Sequence, residues 1–204
     1  MNFPNEILNL IVSEGLDCCH TSIAWSQIST AFKDIITEKL GVIVILDGYS
    51  SFDEQQLPIE CDSLMDEKNT LYTLTDHPEN ASLAKFIPKY SNILVVVHSN
   101  RSYSDVLANM FYDIARNCSQ GTSICIIYST SLNFLSKLYF RELSLYQENI
   151  TLCELHVIGS SSGDENEMCD INTLFERTYI YNLSSLYSLD VQTPSHKLFS
   201  KDLK

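Results

Sequence analysis

Two short stretches of this chain carry residue types that do chemistry. Gly159-Ser160-Ser161-Ser162-Gly163 has the G-x-S-x-G spacing of a nucleophile elbow and follows an apolar run of strand length. In that chemistry Ser161 would attack a carbonyl, a helix N-terminus would support the oxyanion, and an acid and then a histidine would follow in the chain. Here the acidic run Asp164 to Asp170 comes at once and would put negative charge beside an oxyanion, and His196 is the one histidine downstream. The stretch is read as a solvated Ser/Gly loop, with a small α/β hydrolase using Ser161 as the enzymatic alternative. Cys18-Cys19-His20 offers metal-ligating types. Structural zinc, however, takes four ligands, usually from paired Cys-x-x-Cys spacings, and no second pair exists. His98 and His156 are read at strand ends and are expected to be hydrogen-bonded structural residues, not catalysts. No G-x-x-x-x-G-K and no G-x-G-x-x-G occurs, so phosphate cradling has no support. No catalytic residue, metal or cofactor is expected.

The elements that would position such groups fall into two textures. From Phe3 to about Leu40 the apolar residues keep helical spacing, with Ile7, Leu8, Ile11 and Val12 as one stripe and Ile28, Phe32, Ile35 and Ile36 as another. Gly15 and the polar stretch from Asp17 separate the two. Pro4 suits the first turn of a helix and Glu6 the positive end of its dipole. From Val42 onward short β-rich runs recur: VIVIL at 42–46, LYTL at 71–74, ILVVV at 93–97, ICIIY at 124–128, LCELHVI at 152–158 and TYIYNL at 178–183. Helical patterns lie between several of them. The clearest starts at Ser104 and puts Val106, Leu107, Met110, Phe111 and Ile114 on one face, and a second covers Leu132 to Leu145. Strand, helix, strand at this spacing predicts parallel strands joined by crossovers.

Composition excludes some functions. Asp and Glu number 26 against 13 Lys and Arg, a formal charge of −13. Such a surface repels nucleic acid and anionic membranes, and neither is expected as a partner. No apolar stretch approaches the roughly 18 residues a membrane span needs. The N-terminus lacks a basic region ahead of an apolar one, so no signal peptide is read. The seven scattered cysteines are expected to be reduced and mostly buried, in a cytoplasmic or nuclear protein.

Measured between their centres the β-rich runs recur at about 23 to 31 residues, around the leucine-rich-repeat period of roughly 20–29. Leu152-x-x-Leu155-x-Val157 and Leu186-x-x-Leu189-x-Val191 fit the repeat's L-x-x-L-x-L core, and Tyr90-x-x-Ile93-x-Val95 fits loosely. The expected fold is α/β, with N-terminal helices over 1–40, a short irregular leucine-rich-repeat-like solenoid over 41–192 and a polar tail over 193–204. The alternative is a doubly wound α/β sheet, which shares the alternation without a fixed period.

The opening residues can be read further. Phe3-Pro4-Asn5-Glu6-Ile7-Leu8-Asn9-Leu10-Ile11, then Leu16-Asp17, then Ile28-Ser29-Thr30-Ala31-Phe32-Lys33-Asp34-Ile35 follow the order and spacing of an F-box, and over about the first 38 residues the chain resembles that family. Phe3 stands for the usual Leu, Thr30 for the usual Arg or Lys, and Cys18 to Trp25 match poorly. The resemblance implies a non-catalytic adaptor. Phe3, Pro4, Ile7, Leu8, Ile11, Leu16, Ile28, Phe32 and Ile35 would dock on the Skp subunit of an SCF ubiquitin ligase. The repeat-like region would present a protein substrate for ubiquitination. A protein-interaction domain outside the ubiquitin pathway is the other non-catalytic reading.

Overall fold

The computed structural model describes residues 5–16, 18–48, 63–76, 80–101, 104–130, 140–158, 171 and 173–181. The chain opens with three helices, α1 (Asn5–Gly15), α2 (Cys19–Ile28) and α3 (Thr30–Lys39). Ser29 separates the last two. It is extended, with φ −159° and ψ 155°, and its hydroxyl accepts the Phe32 amide at 3.3 Å, a side-chain cap that starts α3. Strands and helices then alternate: β1 (Leu40–Asp47), β2 (Thr70–Leu74), α4 (Asn80–Phe86) with a 3₁₀ turn at Ile87–Lys89, β3 (Asn92–Ser99), α5 (Asp105–Asn117), β4 (Thr122–Thr130), α6 (Arg141–Ser144), β5 (Ile150–Ile158) and β6 (Arg177–Tyr181).

The strands form one open, all-parallel sheet in the order β2-β1-β3-β4-β5-β6. The order follows from composition. Central parallel strands are covered on both faces and read as unbroken apolar runs, and every residue of β1 is buried. Side chains alternate between two cores. Ile43, Ile45, Ile93, Val95 and Val97 face α5, meeting Leu107, Met110, Phe111 and Ile114. Val42, Val44, Leu46, Leu94 and Val96 face the N-terminal helices, meeting Leu8, Val12, Ile23, Ile35 and Ile36. The α5 face is the one expected from its spacing, and Ser104 caps it, accepting the Leu107 amide at 3.1 Å.

Helices on both faces and a reversal of strand order at β1 belong to the doubly wound sheet. They depart from the expected solenoid. A solenoid lays each strand beside the last and keeps its helices on one side; here β2 steps back across β1 and β3 returns on the other side. The period misleads because a β-α-β unit and a leucine-rich repeat have similar lengths. The best repeat match has its own cause. Between β4 and β5 the register slips, pairing Ile124 with Leu152 but Cys125 with Glu154. Cys153 is the extra residue of a β-bulge. Leu152 and Leu155 therefore share the α5 face at a spacing of three, as a repeat would have them. The Leu186 to Val191 match lies outside the described residues, as do the polar tail and most of the Leu132 to Leu145 pattern.

The boundary expected near residue 40 falls where α3 runs directly into β1. Across it the N-terminal helices and the sheet share one buried core. Among the described residues no helix is long and apolar enough to cross a membrane.

Candidate functional site

The N-terminal helices carry the residues assigned to docking, and the structure divides them. Leu8, Leu16 and Ile35 are buried against the sheet. Ile7, Ile11 and Ile28 are exposed, Ile28 by 66%. Phe32 is half-buried, its ring centroid 6.0 Å from that of Trp25. Phe3 and Pro4 lie outside the described residues. The single stripe read on α1 is thus two stripes. At 100° per residue, Leu8, Val12 and Leu16 point inward, while Ile7 and Ile11 turn away together. Leu10, 64% exposed, lies beside them at i+3 and i−1 and completes an outward patch. It was missed because the motif match assigns no role to that position.

A buried polar cluster pins these helices to the sheet. The bulge at Cys153 turns both Cys153 and Glu154 to the helical side. The Glu154 carboxylate then lies under the first turn of α2, where its Oε2 accepts the Cys19 amide at 2.8 Å. Cys18, the residue before α2, makes no side-chain cap, so an acid 135 residues away does the capping. His156 Nε2 stands 3.0 Å from the same oxygen, and Arg177 Nε 3.2 Å from Oε1. The His156 ring is stacked on Tyr179, centroids 4.8 Å apart and planes 15° from parallel. Burial raises the Glu154 pKa, but the His156 hydrogen bond, the Cys19 amide and the charges of His156 and Arg177 outweigh it. The carboxyl is held below its ordinary value.

Three thiols adjoin this cluster. Cys125 is within hydrogen-bonding reach of both Cys153 and Cys19. The Cys153 bond lowers the Cys125 pKa, but the Cys19 bond, burial and the Glu154 charge prevail and push it well up. Cys18 is half-buried, and the side chain of His20 lies outside the described residues. Of the Cys18-Cys19-His20 run, Cys19 meets Glu154 and His156, and all three are buried, with ligand atoms within 4.8 Å of one another. The sequence signal for this was Glu154-x-His156, two polar residues at strand spacing in an apolar run. His156 is thus a core residue of β5, not a strand-end one.

A second polar cluster sits at the carboxyl ends of β1 and β3, where the strand order reverses and open α/β sheets hold ligands. Asp47 ends β1 fully buried. Ser99 donates to its Oδ2 at 2.8 Å and Ser104 to its Oδ1 at 2.9 Å. Gly48 follows with φ +83°, a left-handed conformation that suits glycine, and a Cβ there would collide with Asn100. Arg101 pairs with Asp76 across the same end. These contacts tie the loops together and leave Asp47 satisfied. Ser161 and the acidic run Asp164 to Asp170 lie outside the described residues.

Comparison with protein-family models, with curated proteins and with solved structures returns no match. Any function must therefore be argued from the residues themselves.

Proposed function

We propose that the chain is a non-catalytic adaptor of the F-box type. Helices α1 to α3 dock on the Skp subunit of an SCF ubiquitin ligase, and the α/β body presents a protein substrate for ubiquitination. The observation that carries this reading is the outward stripe of α1. Ile7, Leu10 and Ile11 form an apolar patch on a helix whose opposite stripe is already spent on the core. A helix apolar on two faces is one that a second surface is meant to cover. Ile28, at the end of α2, adds a fourth large exposed side chain from the same segment. Of the described residues that the F-box resemblance assigns to docking, Ile7, Ile11 and Ile28 are exposed, with Leu10 added. Leu8, Leu16 and Ile35 serve the fold. On this reading the ubiquitin chemistry belongs to other subunits and the chain works in the cytoplasm or nucleus.

The test is capture of a purified recombinant Skp subunit by the full chain, wild type beside Ile7→Asp/Leu10→Asp. Each buried Ile or Leu is worth about 2 kcal/mol, so the double variant is expected to weaken binding by ~100-fold or more. Its melting temperature should be that of wild type, since neither side chain belongs to the core. Wild-type chain that fails to bind the Skp subunit at micromolar concentration would overturn the reading.

A further inference from the structure

We propose that Cys19, Glu154 and His156 form a structural site for a zinc-class divalent cation, closed by Cys125. The proposal does not depend on the adaptor reading. Three donors of the types that bind zinc, a thiol, a carboxylate and an imidazole, converge from two elements, each at most 4% exposed. Their ligand atoms all lie within 4.8 Å of one another. A tetrahedral ion with bonds of 2.0–2.3 Å needs them about 3.5 Å apart, a closure that small side-chain rotations supply. Cys125 lies outside that group of three but within hydrogen-bonding reach of Cys19, and as the fourth ligand its thiol would swing towards Glu154 and His156.

The surroundings suit a metal more than they suit bare thiols. Cys19 is the first residue of α2, at the positive end of the helix dipole. His156 is held flat against Tyr179, so its plane is set before a ligand arrives. Charge balances as well. Two thiolates and a carboxylate around a dication leave one negative charge, and Arg177, 3.2 Å from the far oxygen of Glu154, supplies the matching positive one. On binding, the thiol protons of Cys19 and Cys125 and the Nε2 proton of His156 pass to solvent, and His156, neutral with its proton on Nδ1, exchanges its Nε2 contact with Glu154 for the ion. Full burial leaves no position for a substrate, so the ion is structural. It ties α2 to β5 across the bulge.

The experiment uses the full chain, stripped with a chelator and titrated with Co²⁺ as the spectroscopic probe and Zn²⁺ as competitor. The expected result is about one cobalt per chain, a thiolate-to-cobalt charge-transfer band and strong tetrahedral ligand-field bands, all displaced by zinc. Zinc should also raise the melting temperature, and the chelator should reverse the rise. Cys19→Ser should weaken metal affinity at least tenfold, while Cys18→Ser, the neighbouring thiol, leaves the titration unchanged. Should Cys19→Ser fail to fold, X-ray absorption of the wild-type zinc complex decides. Two sulfur and two nitrogen or oxygen neighbours support the site. The proposal is overturned by four sulfurs, by no sulfur, by a wild-type chain that shows no charge-transfer band, or by an unaltered titration in a folded Cys19→Ser.

Discussion

The Cys19 amide donates to Glu154 Oε2 at 2.8 Å across 135 residues of sequence. One hydrogen bond thus joins the first turn of α2 to the middle of β5 and fixes how the N-terminal helices lie on the sheet. The first amides of a helix need an acceptor, and an acid there also meets the positive end of the helix dipole. Glu154→Gln keeps the shape and removes the charge that Arg177 and His156 face. In chelator, the variant is expected to lose about 2–3 kcal/mol of stability, between the cost of a lost cap and that of a broken buried ion pair. Urea unfolding at unchanged slope measures it. Hydrogen exchange at the first turn of α2 should speed up more than exchange in α5. Unaltered stability would show that the contact holds nothing.

Leu8 and Leu10 are two residues apart on α1 and have opposite fates, the one buried on the sheet and the other 64% exposed. Leu8→Ala is expected to cost about 2–4 kcal/mol through the cavity it opens. Leu10→Ala should stay within about 0.5 kcal/mol of wild type. The two midpoints of thermal or urea unfolding check the orientation of α1 directly, and equal losses would contradict it.

Asp47 holds the ends of β1 and β3 together through Ser99 and Ser104. Asp47→Asn presents an amide N–H₂ to at least one hydroxyl that now donates, so one buried group loses its partner. The expected loss is about 1–3 kcal/mol. Ser104→Ala removes that contact and the cap of α5 as well, at about 1 kcal/mol for the cap alone. Since the two substitutions share partners, the double variant should lose less than the sum of the singles, which a double-mutant cycle reads.

His98 points to the side of the N-terminal helices by strand alternation, and its Nε2 is buried without a hydrogen-bond partner. Burial lowers its pKa from 6.5 to about 4. The unfolded chain therefore binds a proton between those values that the folded chain refuses. The neutral imidazole leaves stability untouched above pH 6.5. As pH falls towards 4 stability drops, by up to about 3 kcal/mol for a shift of this size. His98→Leu should remove this component. The difference between wild-type and variant stability should widen from pH 7 to pH 4 in the variant's favour. A difference independent of pH would show that His98 titrates normally.

The local levels of this structure are legible in the sequence. A helical period up to Leu40, apolar runs from Val42 and Ile93, and the Ser104 cap ahead of Leu107, Met110, Phe111 and Ile114 define the elements and the α/β class. The reason is short range: period, cap and turn chemistry act within a few residues. The sequence does not separate a repeat solenoid from a doubly wound sheet. Both alternate strand and helix at similar lengths, and the order β2-β1-β3-β4-β5-β6 depends on which strand each crossover reaches. The Leu152-x-x-Leu155 spacing shows the same limit, since a bulge at Cys153 produces it as well as a repeat would. Which of Ile7, Leu8, Leu10 and Ile11 face the core depends on how α1 is rotated on the sheet, and only packing sets that. The meeting of Cys19 with Glu154 and His156 is furthest from local reading. It needs the strand pairing, the slipped register and the docked helix all at once, because distance along the chain says nothing of distance in space until the core has closed.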